Sequence, residues 1–393
     1  MGFGRGMLEH WTIDSDTTYL NHGTVGVVPR RVLAAQQAIR DEMERQPARF
    51  MLRQVSHLVG APTDEPTLVR RAAGAVASFL GADGDDLVFV DNATSGANAV
   101  LRSFPFQAGD EILLTDHNYG ATARVAAFVA RERGAVVRTL AVPYPRFDRQ
   151  CLVEAVERAI GPRTRVAVLD HITSESALVF PLADLARRCR ERGVAVLADG
   201  AHAPGTLPID IPTLGVDWYV GNLHKWAYAP RSCGILWARP DRQAGLHPPV
   251  VSWGLDQGFL AEFDWVGTRD PSPWLAAPVG LGLLQELDFD AVRRYNHDLA
   301  WRACQELTDR WGGAVERDEE SVGSMVTVPL PKTFGCTPEL ASRLRDSLLD
   351  DDHIEIHVHA RDGQMWVRVS AQVYNDWSDI ERLSGAIERR LRA

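Results

Sequence analysis

The sequence predicts an α/β fold: a large domain with a mostly parallel seven-stranded sheet flanked by helices, and a smaller α+β domain at the C-terminus. Three observations carry that expectation. Between about residue 86 and residue 240, short β-branched runs alternate with stretches of helical period. Pro271, Pro273 and Pro278 then break the alternation. A helix-rich stretch and three further strand candidates close the chain.

The strand candidates of the first region are Leu87–Val90, Glu111–Leu114, Ala135–Leu140, Val166–Asp170, Val194–Asp199, Trp218–Val220 and Gly234–Trp237. Strands separated by helical segments are joined by crossovers, and crossovers make neighbours parallel. The clearest crossover is Pro181–Arg192. Leu182, Leu185, Ala186 and Cys189 lie at intervals of 3, 4 and 7, opposite Arg187, Arg188 and Arg190, so an apolar stripe faces the sheet and the arginines face water. Farther on, Leu281–Trp311 reads as helix, Ser324–Pro329, His353–His359 and Met365–Ser370 as a small sheet, and Ser378–Leu391 as a closing helix. A chain of 393 residues exceeds one small core. The expected division is an N-terminal segment 1–20, a large domain 21–275 and a small domain 276–393.

Composition narrows the function. With 45% hydrophobic and 24% charged residues, the chain is an ordinary globular one. A net charge of −10 argues against nucleic acid or anionic membrane as a partner, because both require clustered cationic surface. No stretch approaches a membrane span. Cys151, Cys189, Cys233, Cys304 and Cys336 are scattered and form no CxxC pair, so neither a disulfide framework nor a thiolate zinc site is indicated. Met1–Thr12 lacks the apolar core of a secretion signal. The expectation is a cytoplasmic protein whose partners are small molecules.

Lysine is nearly absent. Of 42 lysines and arginines only Lys225 and Lys332 are lysines. A GC-rich genome exchanges Lys for Arg on solvated surfaces, but arginine cannot replace an amine that must lose its proton and attack a carbonyl. Lys225 sits in Gly221-Asn222-Leu223-His224-Lys225-Trp226, downstream of Asp199-Gly200-Ala201-His202 at the end of the apolar run Val194–Ala198. A carboxylate at one strand end and a lysine after the next suggest a Schiff-base lysine paired with an aspartate that keeps a pyridine nitrogen protonated. That is pyridoxal 5'-phosphate chemistry. A helix cap or surface role is the plain alternative for Asp199.

Thr94-Ser95-Gly96 opens the helical stretch that follows Leu87–Val90. Hydroxyls and free amides at a helix N-terminus make a phosphate cradle, though the same residues also serve as simple caps. Asn222 and His224 flank the lysine and are suited to phosphate oxygens, and His202 to the cofactor's phenolic oxygen, on condition that the cofactor is there. Arg368 lies among apolar neighbours in Trp366-Val367-Arg368-Val369-Ser370. Such an arginine needs an anion, either a substrate carboxylate in a bidentate pair or an internal Asp or Glu. His353, His357 and His359 raise the question of a metal. Nearby no carboxylate or thiolate completes a spacing, and Ile354, Ile356 and Val358 explain the segment as an amphipathic strand, so no metal is expected. Neither GxxxxGK nor a GxGxxG opening a helix after the first strand occurs.

Together these residues resemble the class V aminotransferase group of fold type I pyridoxal-phosphate enzymes, and more narrowly its isopenicillin N epimerase-like branch. The resemblance covers most of the chain. Its marks are Tyr19–Gly23, Asp91–Asn98, Thr115–Gly120, Asp170–Ser174, Asp199–His202, Gly221–Trp226, Val266–Asp270 and Arg368–Asn375. It implies that Lys225 carries the cofactor and then acts as base at the substrate Cα, and that Asp199 holds the ring nitrogen. Thr94, Ser95, Asn222 and His224 are implied at the phosphate, with Gly96 among the cofactor-binding residues and Thr268 arriving from the neighbouring subunit of a homodimer whose active sites lie at the interface. Ser174 and His202 are implied near the phenolic oxygen, and Arg368, Asn21 and His22 at the carboxylate of an amino-acid substrate. The residue stacked on the ring is either His117 or Tyr119. Tyr119 also suits a proton donor to the opposite face or to a leaving group.

The fold leaves the reaction open, because one carbanion serves several outcomes. The first expectation is an epimerase-like or β-eliminating, carbon–sulfur lyase type of enzyme. An aminotransferase using a keto acid is the second, and a catalytically silent binding protein of the same fold the third. Cys336, just before a helix start, lacks the mobile-loop setting of a desulfurase nucleophile.

Overall fold

The computed structural model describes residues 2–59, 64–314 and 316–392. Twelve strands occur among them in chain order: β1 (Thr18–Tyr19), β2 (Leu87–Val90), β3 (Glu111–Thr115), β4 (Val136–Leu140), β5 (Thr164–Asp170), β6 (Ala195–Gly200), β7 (Trp218–Asn222), β8 (Gly234–Ala238), β9 (Met325–Pro329), β10 (Ile354–Glu355), β11 (His357–Arg361) and β12 (Gln364–Ser370). None of the helices is long and apolar enough to cross a membrane among the described residues.

The seven expected strands of the first region form one sheet in the order β2-β8-β7-β6-β5-β3-β4. From β4 to β7 all neighbours are parallel. Only β8 runs against its neighbours β7 and β2. The inner strands are buried on both faces, as parallel strands covered by helices are. Alternation divides their side chains between two cores: Leu87 and Phe89 join one cluster, Val88 and Val90 the other. The crossover helix spans Leu182–Glu191 and buries Leu182, Leu185, Ala186 and Cys189, the stripe that its spacing requires.

The second sheet is antiparallel, in the order β11-β12-β9. One of its faces packs Val326, Val328, Val358, Val367 and Val369 against Leu299, Leu344, Leu348 and Ile380 of surrounding helices. The run His353–His359 is not one strand. Ile354–Glu355 pairs in parallel with Thr18–Tyr19, and only from His357 does the chain join β12. The segment around residue 20 is thereby tied to C-terminal elements, and Leu20 lies in their core.

Because β5, β6 and β7 are parallel, their carboxyl ends share one edge of the large sheet. Asp170 is in register with Asp199, and Gly200 with Gly221. Ligands bind outside this edge in open α/β sheets.

Candidate active site

A cavity of about 420 Å³ opens at that edge, among Thr94, Ser95, Tyr119, Asp170, Ser174, Asp199, His202, Asn222, His224 and Lys225. The helix Ala93–Ser103 points its N-terminus there, and its cap is Asn92, whose Oδ1 accepts from Ser95 N. With capping done by Asn92, the side chains of Thr94 and Ser95 line the cavity. Asn222 Oδ1 accepts from Ala93 N at 2.8 Å, which fixes the end of β7 against the helix start. Gly96 faces the sheet instead. A Cβ there would lie 2.6 Å from Val220 Cγ1, so the missing side chain lets the helix approach β7.

Asp199 is buried, with Oδ1 accepting from Ala201 N at 3.1 Å and Oδ2 from Thr122 at 3.0 Å. Burial raises its pKa. Asp170 beside it is raised well above the usual range by burial and by the neighbouring Asp199 charge. Two buried carboxylates at the floor of a cavity suit a ligand that brings a cationic N–H to them.

Lys225 follows β7 and is buried. Burial, and then the positive field of Arg368, lower its pKa to about 7. Its Nζ lies 3.0 Å from His202 Nε2. Trp226 Nε1 donates to His202 Nδ1 at 3.5 Å. A neutral imidazole that accepts at Nδ1 carries its proton on Nε2, so that proton faces Lys225, and a nitrogen can accept it only as a free amine. Burial keeps His202 neutral, well below the ordinary histidine range. The geometry therefore presents a nucleophilic, basic amine.

Other side chains expected at the site stand behind the cavity wall. Arg368, 2% exposed, donates to Ser174 O at 2.7 Å, Thr24 Oγ1 at 2.8 Å and Asn21 Oδ1 at 3.3 Å. Ser174 and Thr24 both line the cavity. Asn21 also donates to Glu355 Oε1. His22 lies against Lys225 from the far side: Nε2 donates to Lys225 O at 2.9 Å and Nδ1 accepts from Tyr374 OH at 2.8 Å. Gly26 completes this contact. It has φ 69° and touches His224 O so closely that no side chain fits.

His117 and Tyr119 part company after β3. Asn118 Oδ1 accepts from Thr115 N and turns the chain. His117 becomes buried, with Nδ1 2.5 Å from Ser176 Oγ and Nε2 3.3 Å from Val142 O, and it is not among the cavity-lining residues. Tyr119 stands at the cavity, 46% exposed. Thr268 is exposed and away from the lining. Asp170, Thr24 and Thr122 were not singled out from sequence. Only Asp170 carries a signal there, since it ends its strand as Asp199 does.

The model of the family described as aminotransferase class-V matches residues 18–383. The chain belongs to the aminotransferase class-V family. Among its class-V relatives, a probable chloroplastic L-cysteine desulfhydrase of Arabidopsis thaliana is 32% identical over 96% of this chain and 84% of its own length. Isopenicillin N epimerase of Streptomyces clavuligerus is also 32% identical, over 96% of this chain and 95% of its own. A solved structure of the cystine C–S lyase C-DES with its reaction product cysteine persulfide superposes with a TM-score of 0.80 at 22% identity, covering 94% of this chain and 97% of that one. That likeness establishes the class-V fold.

Proposed function

We propose that this class-V enzyme uses pyridoxal 5'-phosphate to remove the Cα proton of a compact amino acid and to expel its β-substituent, as a carbon–sulfur lyase does. The observation that carries the reading is the buried Nζ of Lys225, with its pKa lowered to about 7, held 3.0 Å from His202 Nε2 in a cavity floored by Asp199. The residues fit the cofactor. Thr94, Ser95 and Asn222 would hold its phosphate beside the N-terminus of the helix Ala93–Ser103, where the dipole favours an anion, and His224, whose Nδ1–H is taken by Cys233 O, would join them through Nε2 once that anion's field favours its protonated form. Asp199 would hold a proton on its ring nitrogen, His202 and Ser174 would adjoin its phenolic oxygen, and Tyr119 would cover the ring. Bound there, the cofactor supplies an electron sink that acidifies the substrate Cα proton. Lys225 takes that proton. Arg368, with Asn21 and Thr24 around it, orients the substrate carboxylate.

Cavity size supports a compact substrate. About 420 Å³ is near the lower end of the ~300–1,000 Å³ of small-molecule sites, and the cofactor takes part of it. None of the lining residues is a cysteine, so expelled sulfur leaves free and is not handed to a protein thiol. A homodimer supports the role inferred for Thr268, because Val250, Val251, Trp253 and Leu255 expose apolar surface that a second subunit would cover, Trp253 to 79%.

Epimerisation is the second reading, favoured by Tyr119 as a group able to return the proton from the other side. Incubation of the loaded enzyme with an amino-acid panel in deuterated water separates the two. Release of a keto acid and ammonia supports elimination, and deuterium at Cα with no net loss, abolished in Tyr119→Phe, supports epimerisation. A rate that depends on added keto acid would replace both with transamination. Absence of a borohydride-sensitive visible band would point to a catalytically silent protein.

A further inference from the structure

The inner face of the small sheet carries a row of side chains that the cofactor chemistry does not use. In the β11–β12 ladder His357 stands opposite Arg368 and His359 opposite Trp366, so these side chains leave the sheet on one face. The valines between them, Val358 and Val367, fill the core on the other. The two imidazoles stack with centroids 5.2 Å apart and planes inclined by 25°. His359 is 7% exposed, and among the described residues neither of its ring nitrogens has a hydrogen-bond partner. His357 Nε2 and Arg368 Nε are buried and unpartnered as well. A buried N–H without an acceptor is destabilising; Arg368 Nε carries one, and neutral His359 carries one on whichever ring nitrogen is protonated, so two neighbouring side chains in that condition point to a missing acceptor.

Charge indicates which acceptor. Arg368 spends its other nitrogens on neutral oxygens of Ser174, Asn21 and Thr24. The carboxylate whose field reaches it is that of Glu175. His359 feels the positive fields of both Arg368 and Arg361, and Arg361 is paired with Asp116 at 3.0 Å and Asp362 at 3.2 Å. Arg368 is thus the cation of the row, beside two neutral imidazoles with hydrogen-bonding capacity unused. Geometry separates two positions on it. His357 is level with Arg368, whereas His359 lies two residues along the strand, about 7 Å away. One carboxylate on Arg368 cannot also reach His359.

We propose that His357 and His359 form a subsite for a second acidic group of the substrate, next to the position where Arg368 takes the first carboxylate. The favoured substrates are then amino acids with an anionic side chain. His357 is half-buried, and the row stands behind the cavity lining, which Arg368 meets through Ser174 and Thr24. The proposal rests on the reading of Arg368 given above, and its test keeps the two apart.

Equilibrium binding of glutarate, butyrate and sulfate to the cofactor-loaded protein, measured by calorimetry, reads the subsite without turnover. Glutarate is expected to bind about tenfold more tightly than butyrate, the order of one hydrogen bond to a charged group. His359→Leu should reduce that preference to about twofold or less and leave butyrate affinity in place, while His359→Gln, which keeps an N–H, retains more of it. His357→Leu should act in the same direction. Equal binding of glutarate and butyrate to the unaltered protein overturns the proposal, and so does an unchanged preference in His359→Leu. Sulfate that binds as tightly as glutarate and is lost in His359→Leu assigns the row to a free oxyanion, which also overturns it. Butyrate affinity unaltered by Arg368→Leu marks failure of the Arg368 reading, and with it of the proposal.

Discussion

The two walls of the cavity differ in how their polar atoms are satisfied. On the large-sheet wall, Asn222 is bonded to Ala93 N, Asp199 to Ala201 N and Thr122, and His202 to Trp226 and Lys225. His224 Nδ1 is held by Cys233 O at 3.2 Å. In the small sheet, behind the other wall, His357, His359 and Arg368 keep unpartnered nitrogens. A wall that must present one geometry to a resident group is pinned from behind. A wall that meets a new ligand at each turnover keeps hydrogen-bonding capacity in reserve. The contrast sets a side pinned from behind against one with hydrogen-bonding capacity unused.

The largest effect should come from the pinned wall. Lys225→Ala is expected to abolish the visible cofactor band and to cut turnover by at least ~10³-fold, since one side chain supplies both the attachment and the base. Lys332→Ala, on an exposed site, should leave the band intact. Absorbance spectra of the two purified variants decide the matter, and the reverse pattern would dissolve the contrast between the walls.

His22 gives the next effect. It is fully buried and neutral, with its pKa lowered from 6.5 to about 4, chiefly by burial. The unfolded chain binds this proton first, so the stability from keeping His22 neutral is complete above pH 6.5 and is lost as pH falls through about 4. The amount is about 3 kcal/mol for this one group. His171 and His224, also lowered to about 4, act in the same sense. Asp170 and Asp199, raised by burial, act in the opposite one. Urea unfolding at pH 7.5, 6, 5 and 4.5 should show falling stability, with a shallower slope in His22→Phe.

Arg368→Leu belongs to the open wall. Its expected signature is a rise in KM of about 100-fold with a smaller change in kcat, because the lost interaction binds substrate and transition state alike. A fall in kcat at constant KM would place Arg368 with the pinned residues instead.

How far the sequence went follows the same line. Strand ends were legible, because a parallel sheet brings the carboxyl ends of Val194–Asp199 and Trp218–Val220 to one edge whatever the helices do. Lys225 and Asp199 could be paired on that ground. The choice between His117 and Tyr119 was not legible, since they are two residues apart and the turn made by Asn118 sends one into the wall and the other to the cavity. Thr122, bonded to Asp199 across 77 positions, and Thr24, bonded to Arg368 across 344, carry no local signal. The alternation within His353–His359 was legible, but not the division of that run between two sheets or the burial of His359. The partner of its polar side is Arg368, and only the β11–β12 register reveals that.

The smallest expected effect tests how the pinned wall is pinned. Trp226 is 1% exposed and its indole N–H is the donor that settles the His202 tautomer. Trp226→Phe keeps an aromatic ring but removes that donor. His202 is then free to carry its proton on Nδ1 and to turn a bare Nε2 toward Lys225, which accepts from an ammonium and so stabilises the charged lysine. The lysine pKa, about 7 in the intact chain, should rise. The bond is long at 3.5 Å, so the change should be modest: roughly threefold to tenfold in kcat/KM, an effect of ~1 kcal/mol. Loss of packing alone would lower kcat/KM equally at every pH. Loss of the tautomer shifts the acidic limb of the profile to higher pH and lets activity recover above it. A profile lowered uniformly in Trp226→Phe would show that the indole packs against His202 without directing its proton.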